Sequence, residues 1–414
     1  MPSARIQTFA LVALVVASPL SAQSTSPAPA SAPGTAAPAS TPAASQAPAP
    51  TALNFSGVMF GSYNYQLPTS PAGLTNQLDN AFILDRAYLN FRMAAGDRTS
   101  IRITTDVYQT SEGTPNAYTI RAKYAYLQYD APKFANGASL LGRIGILHNV
   151  VIDHQENFWP RYLSQTAVER AGFFASADVG VAGQLTLPNK MGEVYANIVN
   201  GPGYTARERD RFKDFGLRLS LTPLANNTDM PLLNTFTISA WGYKGSTASG
   251  FVNGGAGQVG AVGEALDRSR AGLFVGIRDP KLVLAAELAQ RHDGGELGAN
   301  TLLSPRTTTE VTGRVLSAFT VVRPLAFGDP AGKSAFGVVA RYDRVLPSAS
   351  TTGFVTPPST DNSYHNIIGG VFWDLSQRAQ LALDYQESLA SSNDLSNAPP
   401  AQAKGYYAHF VVNF

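Results

Sequence analysis

The chain reads as an all-β transmembrane barrel of about sixteen antiparallel strands, with fourteen or eighteen as alternatives. Three observations predict it. Only 14% of the 414 residues are charged and 44% are hydrophobic, yet no window holds the ~20 consecutive apolar residues of a membrane helix. Runs of alternating apolar and polar residues recur along the chain at the length of a membrane strand. The connectors between those runs alternate short and long. A barrel with one plain end and one elaborated end explains that alternation, and an array of soluble sandwiches gives no reason for it.

The first 52 residues are read apart from the barrel. Residues 1–22 have the form of a secretory signal: Arg5, then the apolar run Phe9 to Ala17, then Ser18-Pro19-Leu20-Ser21-Ala22, with cleavage after Ala22. Residues 23–52 are almost all Ala, Pro, Ser and Thr. Such a stretch buries too little apolar surface to offset its ordering entropy, so a disordered periplasmic linker is expected. A wall-spanning or partner-binding stalk is the alternative. The barrel is expected over 53–414.

The strands are expected at 53–66, 81–94, 100–109, 119–129, 139–148, 180–187, 192–199 and 213–222. The second half adds 234–243, 271–278, 281–290, 311–322, 334–344, 364–374, 378–387 and 406–414. The eighth shows the pattern best, with Phe215, Leu217, Leu219 and Leu221 against Asp214, Gly216, Arg218 and Ser220. In the second, Ile83, Ala87, Leu89, Phe91 and Met93 are assigned outward, and Asp85 breaks that outward face. Tyr63, Tyr65, Trp373, Tyr385, Tyr406 and Phe414 lie near strand ends, where aromatic girdles form.

The last strand alternates Tyr406, Ala408, Phe410, Val412 and Phe414 with Tyr407, His409, Val411 and Asn413. It resembles the closing strand of bacterial outer-membrane barrels. That resemblance implies a cell outer membrane location, contact with its lipid, and recognition of Phe414 by the barrel assembly machinery. A second resemblance lies in the first half of the barrel. Asp85-Arg86-Ala87, Arg143 and Gly145, Glu156, Trp159-Pro160-Arg161, Asp178-Val179-Gly180, Tyr195 and Val199-Asn200-Gly201 together resemble the phosphate-selective porin O and P family and its broad relatives. This implies a trimeric porin with an anion, phosphate included, as its cargo. The chain departs from that family in its lumen, where the basic residues are sparser and mixed with acids.

Sixteen strands enclose a bore too wide for side chains to fill, so polar inner faces imply water and passive passage of small hydrophilic solutes. The inward basic residues are expected to be Arg86, Arg92, Arg102, Arg121, Lys123, Arg143, Arg218, Arg314 and Arg341. The inward acids are Asp106, Glu193, Asp214, Glu287, Asp343 and Asp384. Arg121 and Lys123 depend on the phase of the fourth strand, which can be read either way. Six of the basics cluster on strands two to five, and such a cluster favours anions. The other reading is that these charges only pair across strands.

The third long connector, 149–179, carries Asp153, Glu156, Trp159, Arg161, Glu169 and Arg170 among its aromatics. Its length and aromatic content suit a constriction folded into the lumen. A lid on the barrel mouth or a trimer contact is the alternative.

Other chemistries find little support. There is no cysteine, hence no disulfide, thiolate nucleophile or lipid-anchored cysteine. The five histidines form no catalytic or metal-ligand spacing, so no enzyme, metal or cofactor is expected. The formal charge of +2 and the lack of a dense basic patch give no case for nucleic acid. A structural or adhesive barrel with a blocked lumen stays open, as does a barrel hydrolase. An energy-coupled transporter would need a folded plug, which 23–52 does not offer.

Overall fold

A period of two sends successive side chains to opposite faces, and sixteen runs that carry it pair in chain order into one closed sheet. The computed structural model describes residues 52–67, 80–109, 117–208, 210–227, 229–248, 265–297, 307–329, 332–350, 363–390 and 403–414. The expected signal and all but the last residue of the expected linker lie outside them. The strands are β1 (Leu53–Gln66), β2 (Asn80–Ala94), β3 (Thr99–Gln109), β4 (Tyr118–Asp130), β5 (Ser139–His148), β6 (Ala177–Thr186), β7 (Gly192–Val199) and β8 (Asp214–Leu221). They continue as β9 (Thr237–Ala248), β10 (Ala265–Arg278), β11 (Leu282–Leu297), β12 (Thr307–Val322), β13 (Phe336–Ser350), β14 (Tyr364–Asp374), β15 (Ala379–Ala390) and β16 (Ala403–Asn413). Each pairs antiparallel with its chain neighbours, and β1 closes on β16 from Val58↔Asn413 to Gln66↔Gly405. Phe414 completes that seam by exchanging backbone bonds with Gly57 at 2.7 and 3.0 Å.

The outer face is apolar. On β8 burial alternates residue by residue, with Phe215, Leu217, Leu219 and Leu221 all exposed. Leu273, Leu284, Leu288, Leu316, Leu381, Leu383, Trp373 and Tyr406 extend that face around the barrel. Each such side chain gains ~1.5–3 kcal/mol by leaving water, so a band of them suits hydrocarbon rather than solvent. The short connectors, among them 95–98, 187–191, 279–281 and 375–378, lie at the end that carries β1's start and Phe414.

One bulge corrects the expected facing of β2, and a second lets both Arg121 and Lys123 of β4 face inward as expected. Opposite β1, the register jumps between Phe60↔Arg86 and Ser62↔Ile83, so Leu84 and Asp85 together face Gly61. The extra residue flips the phase above it. Phe82, not Ile83, therefore points outward, at 87% exposure. Asp85 turns inward and accepts a 2.9 Å bond from Ser62 Oγ. On β4 the jump between Thr104↔Tyr124 and Thr105↔Ala122 makes Lys123 the extra residue. Arg121 then faces Asp106 on the inner side, while Lys123 and Tyr124 are both buried inside. Arg314 was expected inside and instead is exposed beside Leu316 on the outer face, because Val315 and Ser317 are the inward residues of β12.

Gly145 on β5 has φ +130°, and a Cβ there would stand 2.2 Å from the Ala125 carbonyl oxygen. Gly142 on the same strand has its nearest neighbour at 3.9 Å. Gly145→Ala is expected to destabilise the barrel by ~1 kcal/mol or more, seen as a lower unfolding temperature in detergent. Gly142→Ala should leave that temperature unchanged, and equal effects would contradict this account.

Candidate functional site

The site is the barrel interior, and its dominant object is the third connector, which runs from Asn149 to Ser176 between β5 and β6. It folds inward, not over the mouth. Asn149 donates its backbone N–H to the Ser176 carbonyl at 3.0 Å, and its Oδ1 accepts from the Val151 N–H at 3.0 Å. These bonds start a tight turn into α1 (Ile152–Gln155). Pro160 follows, and a second short helix, α2 (Ala167–Arg170), precedes the return to the wall. Val150, Val151, Ile152, Val168 and Phe173 have no exposed surface at all. One apolar cluster joins them to Trp241, Tyr243 and Tyr195 of the wall. A second joins Phe158, Trp159 and Leu163 to Phe274, Phe319 and Ile368.

A buried loop must find partners for its backbone carbonyls, and here the wall supplies them. Tyr195 Oη donates to the His148 carbonyl at 2.8 Å and Arg218 to that of Val150 at 2.6 Å. Arg341 donates to Gln165 at 2.7 Å, Gln386 to Leu163 at 2.8 Å and Arg291 to Gly172 at 3.1 Å. Arg270 donates to the Phe173 carbonyl. Three of these arginines are also neutralised by acids: Arg218 by Glu193, Arg270 by Asp293 at 2.8 Å and Arg341 by Asp343 at 2.8 Å. On the β7–β13 side of the barrel, basic residues therefore hold the loop and are electrically spent.

Arg161 sits at the far reach of the loop. It grips Glu169 through two bonds of 2.6 and 3.0 Å, pairs with Glu156, and donates from Nε to Tyr88 Oη on β2 at 3.1 Å. Burial alone would lower its pKa; Tyr88, Glu156 and Glu169 more than reverse this and hold it well above the usual value. Arg170 donates to Ser164 Oγ at 3.3 Å, and burial, then the charge of Arg341, lower its pKa. Asp153 is about half exposed and lies 3.4 Å from His148. Trp159 is buried, donates to the Ser164 carbonyl at 2.9 Å and packs against the guanidinium of Arg341. The six loop residues singled out from the sequence thus all lie within the folded connector, three of them in one ion-paired cluster.

The β2–β5 wall is different. Arg86 and Arg121 share the fully buried Asp106 at 3.0 and 2.9 Å. Arg92, Arg102, Lys123 and Arg143 have no acidic partner among the described residues. Arg92 stands opposite Arg102 in the β2–β3 register, and the groups that Arg102, Arg143 and Lys123 contact are neutral. Arg102 donates to Thr104, Asn90 and His148 and lies over Tyr124. Arg143 donates to Gln128 at 2.9 Å and lies over Tyr126. Lys123 Nζ is 4.4 Å from the centre of the Tyr88 ring. A cation over an aromatic face is held in place without losing its charge. This wall therefore carries fixed, uncompensated positive charge. Arg218, by contrast, faces inward but lies buried beneath the loop.

Sequence reading missed several inner residues. Arg268, Arg270 and Arg291 belong to β10 and β11 above the points where those strands were expected to begin and end. The alternation Leu266, Arg268, Arg270 was the available signal. The tyrosines that hold the basic wall were not singled out either.

No protein-family model matches the chain and no curated protein matches it by sequence. Solved structures do. OmpT with loop L8 deleted, an outer membrane protein of Vibrio cholerae, is 8% identical, with 88% of this chain and 99% of that one covered and a TM-score of 0.56. An anion-selective porin from Comamonas acidovorans is 10% identical, covering 88% and 100%, at 0.54. The outer membrane channel DcaP of Acinetobacter baumannii is 12% identical, covering 89% and 98%, at 0.53. At these identities the likeness is one of fold, and it places the chain among porin-like sixteen-stranded barrels.

Two outcomes test the docked loop. His154 is wedged between Phe158 and Phe274, 3.0 Å from Ser239 Oγ. Burial first, then the charge of Arg218, push its pKa from 6.5 to about 3. An undocked loop takes up that proton more readily than the docked one. Docking is therefore constant above pH 6.5 and weakens as pH falls from 6.5 towards 3. Fluorescence of Trp159, with Trp241 and Trp373 changed to Phe, should report its exposure in that window, and His154→Gln should flatten the response; a flat wild-type response would contradict it. Arg161→Ala leaves Glu156 and Glu169 facing each other, a loss of ~3–5 kcal/mol for a broken buried pair. Protease cleavage within the loop should rise, and adding Glu156→Gln and Glu169→Gln should restore resistance.

Proposed function

We propose that the protein is an outer-membrane porin: a passive channel for small hydrophilic solutes with a mild preference for anions, phosphate among them. The observation that carries this reading is the set of cations on one side of the lumen, Arg92, Arg102 and Arg143 with the buried Lys123, that no acid among the described residues neutralises. A fixed array of one sign raises the local concentration of the opposite ion. The apolar outer face supports a bilayer as its surroundings, and the signal expected at 1–22 supports export to it. The third loop serves as the constriction in this reading, with Asp153 and the Arg161 cluster on its side of the path.

Three further parts complete the reading. OmpT of Vibrio cholerae, folded in vitro, occurs in a trimer form, and we extend that state to this chain. Phe414, at the seam between β1 and β16, is assigned as the signal to the assembly machinery. No catalytic role is assigned. One observation favours a second reading, a structural or adhesive barrel with a closed lumen: the loop reaches both Tyr88 on β2 and His409 on β16.

Single-channel recording in a planar bilayer under a KCl gradient separates the two. Stepwise openings with an anion-biased reversal potential are expected. Arg102→Ala with Arg143→Ala should move the reversal potential towards the cation side, and inorganic phosphate should compete with chloride in the wild type. Folded, inserted protein that never conducts would establish the closed barrel instead. An unchanged reversal potential in the double variant would remove the anion preference.

A further inference from the structure

On the other side of the Arg161–Tyr88 contact, the loop and the wall enclose a second space. It is a cavity of about 270 Å³ between Arg161–Gln165 and the inner faces of β15, β16, β1 and β2. The volume is that of about nine waters, enough for one hexose-sized solute. Its chemistry is opposite to that of the basic wall.

The Arg161, Arg86 and Gln386 donors around it are committed. Arg161 is engaged by Glu156, Glu169 and Tyr88. Arg86 is engaged by Asp106, and the Gln386 amide by the Leu163 carbonyl. The acceptors are not. Asp85 opens on the cavity with one bond, from Ser62. Asn64 Oδ1 is buried with no partner. His409 lines the cavity at 5% exposure, and its Nδ1 has no partner. Its Nε2 pairs with Asp384 Oδ2 at 2.8 Å, outside the cavity lining. Unmatched buried acceptors cost free energy until a donor reaches them. Tyr162 and Tyr407 add aromatic surface to the same cavity, which suits both a sugar ring and a cation.

We infer that this cavity is a binding niche for a sugar-sized solute bearing an ammonium group, with Asp85 as the counter-charge and Asn64 and His409 as hydrogen-bonding partners. The niche goes beyond the conduction reading and requires only that solute can enter the lumen. It also gives the interior two chemistries, an anion-attracting wall on β2–β5 and an ammonium-accepting recess on β15–β2, with Arg161 between them.

Titration calorimetry on the purified full-length barrel, folded in detergent at pH 6, tests this with glucosammonium chloride and with glucose. Glucosammonium should bind at least ~10-fold more tightly than glucose, a difference of about 1.4 kcal/mol. Asp85→Asn should remove that preference, and Asn64→Ala should weaken it if the first variant does not fold. Equal binding of the two sugars, or a preference that survives Asp85→Asn, would overturn the niche. A barrel that conducts yet binds neither would sink the niche alone. One that binds glucosammonium without ever conducting would sink the channel reading and leave the niche standing.

Discussion

A sheet that faces hydrocarbon can leave no edge, because each unpaired backbone group there costs several kcal/mol. The bonds that join β1 to β16, completed by Gly57 and Phe414, are how this chain meets that constraint. Much else follows from closing a sheet of sixteen strands. The bore exceeds what wall side chains can fill, so the chain must either leave it to water or put something in it. The third connector is what it puts there.

Placing twenty-eight-odd residues of irregular backbone inside a barrel creates a debt of unpaired carbonyls, and the wall's arginines meet it. Arg218, Arg270, Arg291 and Arg341 donate to loop carbonyls. That use explains why the interior is electrically uneven. Basic residues under the loop are bound up in ion pairs and carbonyl bonds, whereas Arg102, Lys123 and Arg143 on β3–β5 lean on tyrosines and keep their charge. One loop, by choosing which half of the wall it covers, decides which charges a passing solute can meet.

Much of the architecture was legible in the sequence. Alternation over Phe215 to Leu221 leaves one assignment of faces, and β1, β5, β7 and β14 have the bounds that their patterns imply. The long aromatic connector also stood out, because so many large apolar residues are costly in a solvated loop. The failures are local. A single extra residue reverses the phase of a strand, and no periodicity argument announces a bulge, so Asp85 and Ile83 were placed on the wrong faces. β10 was begun at 271 because Asp267, Arg268, Ser269 and Arg270 read as polar loop; strands that continue above the apolar band lose the hydrophobic half of their signature. Which charges pair depends on register between distant strands, and the division between spent and free cations was therefore invisible until β2–β5 could be set beside β7–β13.

The central claim is that water runs along the β2–β5 wall and not along the wall beneath the loop. The chain has no cysteine of its own, so single introduced thiols report cleanly. Gln128→Cys on β4 and Ser317→Cys on β12 should be compared for reaction with a sulfonate-bearing thiol reagent, in folded protein reconstituted in bilayers. Gln128 is partly exposed beside Arg143, whereas Ser317 is 2% exposed. The account predicts rapid labelling at 128 and protection at 317. Equal labelling, or faster labelling at 317, would contradict it.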